Sequence, residues 1–257
     1  MTAHTPRKRF GQHFLVSPGV IGRIVDALDP RPGDALVEIG PGLGALTLPL
    51  LDRLDRLQVV ELDRDLVAHW QAHAAAPKLT VHAADALAFD FAKVGARFKV
   101  AGNLPYNIST PLLFHLAGYA SHIERMVLML QKEVVDRMVA EPGSAAYGRL
   151  SVGLQVRFVM FRLCTVPPGA FHPPPKVDSA VVVLAPLGDS APHIADPARF
   201  DAVVTAAFGQ RRKTLRNALA TLLSEDAIRH AGIDPTKRAE QIEPAGFIRL
   251  AAAPAAV

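Results

Sequence analysis

Four consecutive residues, Asn103-Leu104-Pro105-Tyr106, carry groups that could hold an aromatic base by its exocyclic amine. The side-chain oxygen of Asn103 and the carbonyl of Leu104, freed by the proline that follows, could accept both amine hydrogens, and the Tyr106 ring could stack on the base. Two such acceptors would direct the nitrogen lone pair toward a methyl donor, so that alignment carries much of the catalysis. The alternative interpretation is an ordinary turn after a strand.

A glycine-rich turn, residues 40–44, follows a predicted strand at 35–39 and precedes a helix, which is typical of a nucleotide-cofactor site. The turn also fits the looser dinucleotide pattern, so by itself it leaves NAD and S-adenosylmethionine both open. Glu61 ends the second predicted strand and could accept hydrogen bonds from two ribose hydroxyls. Asp85 follows the third strand and could accept one from an adenine amino group. Gly40, Glu61 and Asp85 together predict a cofactor site at one sheet edge.

The elements that must position these residues are predicted from the alternation of β-rich runs and amphipathic segments between residues 17 and about 186. This alternation predicts an α/β fold, a Rossmann-like parallel sheet with helices on both faces. The predicted strands are 35–39, 57–62, 79–83, 97–101, 125–130 and 177–184. A polar, breaker-rich stretch follows Pro186, and beyond it the apolar period is helical. We therefore predict a catalytic domain over residues 1–188 and a small all-α domain over 189–257.

A proline-rich stretch, residues 167–175, cannot enter a helix and predicts a rigid loop that holds Phe171 in a fixed pose. The single cysteine, Cys164, cannot form an internal disulfide and indicates a reducing cytoplasm. His69 and His73 have the spacing of a zinc pair, but no third ligand is evident, so we predict no metal. A solvated helix face is the simpler interpretation of these two histidines.

Charge and hydropathy limit the possible partners. The formal net charge of +4 is compatible with a polyanion but does not establish one. Two basic clusters stand out, Arg7-Lys8-Arg9 and the set Arg211, Arg212, Lys213 and Arg216, and either could be a solvated surface. No run of about 18 apolar residues is present, and no apolar run follows the basic N-terminal residues, so we expect neither a membrane span nor a secretory leader.

Further motifs are spaced along nearly the whole chain: residues 9–15 (Arg-Phe-Gly-Gln-His-Phe-Leu), 38–44, 61–63, 102–111, 131–133 (Gln-Lys-Glu), 147–151 (Tyr-Gly-Arg-Leu-Ser) and 173–179 (Pro-Pro-Pro-Lys-Val-Asp-Ser). With these motifs the sequence resembles the ribosomal RNA adenine N6-dimethyltransferase family. The resemblance implies S-adenosylmethionine-dependent dimethylation of N6 in two adjacent adenosines, in the 3′-terminal hairpin loop of 16S rRNA in the small ribosomal subunit. It implies a role in ribosome biogenesis, with the immature small subunit as partner. We expect a monomer that works in the cytoplasm.

The resemblance also assigns residues to roles. It implies that S-adenosylmethionine contacts His13, Leu15, Gly40, Glu61, Asp85 and Asn103. It implies that Asn103-Leu104-Pro105-Tyr106 grips the adenine, with Phe171 as a second stacking partner, and that Arg211, Arg212, Lys213 and Arg216 contact rRNA. Many relatives carry asparagine where this chain has His13, so a contact there comes from either the imidazole or the backbone.

Three alternatives remain at this point. A related enzyme that methylates one adenine of large-subunit rRNA and confers antibiotic resistance shares many of the motifs, but the match through residues 131–179 and the C-terminal helices argues against it. A NAD-dependent dehydrogenase would use the same glycine turn but would leave Asn103-Leu104-Pro105-Tyr106 unexplained. A ribosome-assembly checkpoint factor, with catalysis secondary, is the third.

Overall fold

The computed structural model describes residues 13–254. The cluster Arg7-Lys8-Arg9 and the first part of the motif at residues 9–15 therefore lie outside the described residues. The strands are β1 (Phe14–Leu15), β2 (Leu36–Ile39), β3 (Leu57–Glu61), β4 (Leu79–Ala83), β5 (Phe98–Asn103), β6 (Ile123–Gln131), β7 (Phe158–Val166), β8 (Phe171–His172) and β9 (Ser179–Pro186). A seven-stranded sheet in the order β4-β3-β2-β5-β6-β9-β7 forms the centre of the fold, and β1 pairs with β8 in a separate two-stranded sheet.

Helices connect the strands and make up most of the chain after β9. They are α1 (Pro18–Leu28), α2 (Thr47–Leu51), α3 (Arg64–Ala72), α4 (Ser109–Ala117), α5 (Lys132–Met138), α6 (Arg149–Gln155), α7 (Pro197–Gly209), α8 (Leu215–Ala218), α9 (Glu225–His230) and α10 (Pro244–Ala252). The Asp63 side chain caps α3 by accepting a hydrogen bond from the Asp65 amide, and Asp65 lies in the first turn. These two acids favour the start of α3, because carboxylates stabilise the positive end of a helix.

The predicted α/β class is confirmed, with one difference in strand direction. Strands β4, β3, β2, β5 and β6 run parallel, whereas β9 pairs antiparallel with β6. The sheet is therefore mixed. All six predicted strands exist, but β7 was not predicted, because its mostly apolar residues do not alternate with polar ones and such a run does not reveal its conformation.

The chain divides into two compact units. The first contains the described residues up to Val135 together with Met160–Pro186, and its apolar core includes Leu28, Leu50 and Val59. The second contains Asp136–Val159 together with the described residues from Leu187 onward. Residues 136–159 thus group with the C-terminal helices, which the sequence did not indicate. Within the described part of the chain, every helix is too short or too polar to cross a bilayer.

The second unit has a core of its own, in which Tyr147, Phe200 and Phe247 are fully buried. The Tyr147 hydroxyl donates to the Ile242 carbonyl at 2.9 Å, which satisfies the one polar group that this aromatic residue brings into the core. Tyr147 belongs to the segment before β7, and Ile242 lies just before α10. This contact therefore ties residues 136–159 to the C-terminal helices.

Candidate cofactor and base-binding site

The ends of three neighbouring parallel strands and the segments that follow them meet at one edge of the large sheet. In the register of β2, β3 and β5, Ile39 lies opposite both Val60 and Gly102, so the glycine turn begins beside the ends of the other two strands. This edge borders a cavity of about 470 Å³. The cavity is lined by these predicted site residues: His13, Leu15, Gly40, Glu61, Asp85, Asn103, Leu104, Pro105 and Tyr106.

The glycine turn adopts a backbone that other residues rarely adopt. Gly42 has φ +54° and Gly44 has φ +96°, in the left-handed region where only glycine avoids steric strain. The Gly44 amide donates to the Pro41 carbonyl at 2.9 Å, which closes the turn. The backbone of the glycine turn thereby lines the cavity, and because these glycines have no side chains a ligand can approach it closely.

Glu61 presents a largely buried carboxylate to the cavity. It is 8% exposed, and its Oε1 accepts a hydrogen bond from the Asp63 amide at 2.8 Å. Burial raises the pKa of Glu61, and the charge of Asp63 adds to this, while the amides of Asp63, Leu62 and Gly42 partly offset the rise. Hydrogen-bond donors from a ligand would satisfy the remaining acceptor capacity of this carboxylate.

Glu38 is a second buried carboxyl group at the cavity, and sequence reasoning missed it. It is 1% exposed, and its Oε2 accepts a hydrogen bond from the Thr47 hydroxyl at 2.7 Å. Burial raises the pKa of Glu38 to about 8, with Thr47 opposing the rise and Glu61 adding to it. Glu38 lies two residues before Gly40, so an acid within a buried strand that leads into a glycine turn was the available signal.

Replacement of Glu38 by glutamine should flatten the dependence of stability on pH. The folded protein keeps this proton up to about pH 8, whereas an unfolded glutamate loses it near 4.5, so wild-type stability falls as pH rises between these values. One proton contributes at most about 1.4 kcal/mol per pH unit. Glutamine cannot titrate, so we expect the Glu38→Gln free energy of unfolding to fall less across this range in urea denaturation without cofactor. Parallel pH curves for the two proteins would contradict the assignment.

Asp85 lies at the exposed rim of the cavity. Its Oδ1 accepts a hydrogen bond from the Leu87 amide at 2.9 Å. This contact orients the carboxylate, and within the described residues the second oxygen has no hydrogen-bond donor, so that it can accept one from an amino group.

Asn103 ends β5 with its amide held in one orientation. Its Nδ2 donates to the His13 carbonyl at 2.8 Å, and because a carbonyl only accepts, the Oδ1 must face away from His13. The Leu104 amide donates to the Met129 carbonyl at 3.0 Å. Among the described residues, neither Asn103 Oδ1 nor the Leu104 carbonyl oxygen has a hydrogen-bond donor. Two acceptors are therefore unpaired at adjacent positions on the cavity wall.

Tyr106 is held from two directions. Its hydroxyl forms a hydrogen bond with the Ser179 hydroxyl at 2.7 Å, and burial raises the pKa of this phenol. The His13 imidazole stacks on the Tyr106 ring with centroids 5.7 Å apart, and His13 Nδ1 donates to the Pro173 carbonyl at 2.8 Å. In this structure the His13 backbone therefore contacts Asn103, while its side chain contacts the tyrosine.

Phe171 lies apart from this group. The sequence predicted a rigid loop presenting its ring, but the structure places Phe171 in strand β8, where it pairs with Leu15. Its side chain is 4% exposed within the apolar core of the first unit and does not line the cavity. The structure does not bring Phe171 together with Tyr106, because pairing with β1 turns the ring into the core, and its stacking role stays a prediction.

The C-terminal basic cluster lies on the second unit, in and around the loop between α7 and α8. Arg211 forms an ion pair with Glu240 at 3.1 Å and also donates to the backbone of the loop that contains Ala145. Arg212, Lys213 and Arg216 are exposed, and among residues 13–254 their side chains have no ion-pair partner. The cluster is thus divided into one cation with a structural contact and three that face solvent.

The cavity residues fit S-adenosylmethionine. Backbone glycines can approach its methionine part and its sugar, the Glu61 carboxylate can accept ribose hydroxyls, and Leu43 and Leu62, both about half exposed at the cavity, offer apolar surface to adenine. Described residues include no group of three His, Cys, Asp or Glu side chains placed to hold a metal ion. The fold and this cavity define a Rossmann-like, S-adenosylmethionine-dependent methyltransferase.

Comparison with known proteins identifies the family. The family model described as ribosomal RNA adenine dimethylase matches residues 3–255, and the chain belongs to this family. The chain is 56% identical to the ribosomal RNA small subunit methyltransferase A of Aromatoleum aromaticum over 97% of its own length and 94% of that protein. It is equally identical to the protein of the same name from Chromobacterium violaceum, with 98% and 96% covered.

Solved structures agree with this assignment. A dimethyladenosine transferase from Plasmodium falciparum has a TM-score of 0.78 at 26% identity, covering 93% of this chain and 96% of that one. The 23S rRNA methyltransferase ErmE has a TM-score of 0.70 at 25% identity, with 93% and 98% covered. Membership of the family removes the dehydrogenase alternative.

Proposed function

We propose that this enzyme dimethylates N6 of two adjacent adenosines in the 3′-terminal hairpin loop of 16S rRNA, during small-subunit biogenesis in the cytoplasm. Relatives more than half identical over nearly their whole length carry the name small subunit methyltransferase A, which favours the small subunit over the large one. The observation that carries the chemistry is the pair of unpaired acceptors, Asn103 Oδ1 and the Leu104 carbonyl, beside the Tyr106 ring. We propose that the enzyme acts as a monomer and without a metal.

S-adenosylmethionine, when bound, supplies an electrophilic methyl group on its sulfonium sulfur. The protein's part is to bind, orient and exclude water. We assign cofactor binding to His13, Leu15, Gly40, Glu61, Asp85 and Asn103. Asn103 Oδ1 and the Leu104 carbonyl accept the two N6 hydrogens, which turns the nitrogen lone pair out of conjugation and toward the methyl carbon. Pro105 rigidifies the turn, and Tyr106 stacks on the base once it has left the RNA stack.

The test of this function is substrate mapping. Labelled S-adenosylmethionine is supplied in parallel with undermodified small subunits, large subunits and naked rRNA, and the methylated positions are mapped. We expect two dimethylated adenosines near the 3′ end of 16S rRNA in the small-subunit arm. Label in the large subunit alone would contradict the proposal and would favour the resistance type of activity.

We further propose that Arg212, Lys213 and Arg216 contact rRNA, whereas Arg211 chiefly holds the loop at Ala145 by donating to the Ala145 carbonyl and forms an ion pair with Glu240. The triple alanine variant of the three solvent-facing cations should bind RNA more weakly. The slope of log affinity against log salt should decrease by about 2, because each neutralised phosphate of single-stranded RNA contributes roughly 0.7. Cofactor affinity should not change.

The matched control replaces Arg31, Arg53 and Arg229 with alanine, which makes the same change in net charge. These arginines are exposed and pair with Asp29, Asp26 and Glu225. A control variant that loses as much salt dependence as the test variant would show that net charge, not the cluster, governs RNA binding.

A further inference from the structure

Trp70 is the single tryptophan of the chain and is fully buried in helix α3. Its indole Nε1 donates a hydrogen bond to the Gly42 carbonyl at 3.0 Å. An indole N–H is a donor only, so the bond fixes which way that carbonyl points. The donor thus comes from a helix, and the acceptor lies in the middle of the glycine turn.

The same indole packs against the other end of the turn. A Cβ atom built on Gly44 would lie 2.7 Å from Trp70 Cη2, closer than real Cβ contacts. The ring therefore fills the space that a side chain at residue 44 would need. The Trp70 side chain therefore restrains the turn at two points, by packing against Gly44 and by its hydrogen bond to Gly42.

Gly42 also connects the turn to Glu61. Its amide lies close enough to the Glu61 carboxylate to lower the pKa of that group, in opposition to burial. Trp70 thus binds the carbonyl of Gly42, and the Glu61 carboxylate lies near the amide of the same residue. Rotation of the turn at Gly42 would disturb both contacts together.

We propose that Trp70 is a positioning residue for the cofactor: by holding Gly42, it keeps the glycine turn and the Glu61 carboxylate in the arrangement that receives the cofactor's ribose. This inference rests on the cofactor placement proposed above. Trp70 itself does not line the cavity, so it acts through Gly42 and Gly44 and touches no reacting atom.

The experiment compares Trp70→Phe with wild type. Phenylalanine keeps an aromatic ring in the core but removes the N–H donor. We expect KM for S-adenosylmethionine to rise about fivefold, the usual effect of one lost hydrogen bond, with kcat at saturating cofactor little changed. Val67→Ala is the control, because Val67 is buried in the same helix and does not line the cavity. A loss of stability alone would reduce the active fraction in both variants and leave KM unchanged.

A second variant separates the hydrogen bond from packing. Because the chain has one tryptophan, global replacement of tryptophan by 3-(3-benzothienyl)alanine changes residue 70 alone and exchanges the N–H for sulfur in a ring of nearly the same shape. We expect this replacement to raise KM for S-adenosylmethionine as much as Trp70→Phe does. In a protein that already carries Glu61→Gln, either change at residue 70 should raise KM less, because the carboxylate that Trp70 helps to position is then absent. Unchanged KM in both Trp70 variants, beside raised KM in Glu61→Gln, would overturn this inference alone. Unchanged KM in Glu61→Gln would overturn the cofactor placement and the inference with it.

Discussion

Asn103→Ala is expected to lower kcat by about a thousandfold, the cost of removing one preorganised polar contact from an active site. The change removes Oδ1, one of two acceptors that orient the amine, and also the Nδ2 bond to the His13 carbonyl. RNA affinity should change little, because phosphate contacts dominate it. Single-turnover kinetics with saturating RNA and cofactor, together with RNA binding, measure the two effects separately.

Tyr106 variants provide the comparison. Tyr106→Phe keeps the ring and loses only the hydrogen bond to Ser179, so we expect a small loss of turnover. Tyr106→Ala removes the stacking surface, which contributes about 1–3 kcal/mol per base, and should weaken capture of the base as well as turnover. If Asn103→Ala retained kcat near the wild-type value while Tyr106→Phe lost it, alignment by the two acceptors would not be the basis of catalysis.

Gly44→Ala is expected to have the largest effect on the glycine turn. Alanine at this position would be strained by the left-handed backbone, φ +96°, and its methyl group would lie 2.7 Å from the buried Trp70 ring. We therefore expect the free energy of unfolding to fall by about 2–4 kcal/mol. Cofactor binding should weaken at the same time, because the turn has to move. Urea denaturation and calorimetric titration with S-adenosylhomocysteine measure the two consequences.

Gly33 offers an internal control for the backbone contribution. It has φ +85°, but apart from its chain neighbours no atom of residues 13–254 lies within 4 Å of a Cβ built there. Gly33→Ala therefore carries the conformational cost alone, about 1 kcal/mol, and should leave cofactor binding intact. If the two variants were equally destabilised, the contact between Gly44 and Trp70 would be unimportant.

The position of the site could be predicted from the sequence, because it depends on where strands end. Apolar runs located β2, β3, β4 and β5 within a few residues, and in a parallel arrangement their carboxyl ends had to meet at one edge. The predicted cofactor and base-binding residues between Gly40 and Tyr106 consequently line one cavity.

The remaining features depend on contacts between distant parts of the chain. Pairing of β1 with β8 buries Phe171, and no local pattern indicates this partner. In the sequence Arg211 is one of four neighbouring cations, and only the structure shows that it forms an ion pair with Glu240. Trp70 resembles an ordinary helix residue in the sequence, and only the fold shows that it holds the glycine turn.

Hydrogen bonds between distant residues also determine when during synthesis the segment Asn103-Leu104-Pro105-Tyr106 can be held in place. Asn103 is hydrogen-bonded to His13, 90 positions earlier, and Tyr106 to Ser179, 73 positions later. His13 is in turn hydrogen-bonded to Pro173, 160 positions later. Contacts of such long sequence separation close only after much loop entropy has been lost. A nascent chain that ends before Ser179 therefore lacks the hydrogen-bond partner of the Tyr106 hydroxyl. Methylating competence should arise late in translation, after the first unit has its last strand, rather than gradually as the ribosome extends the chain.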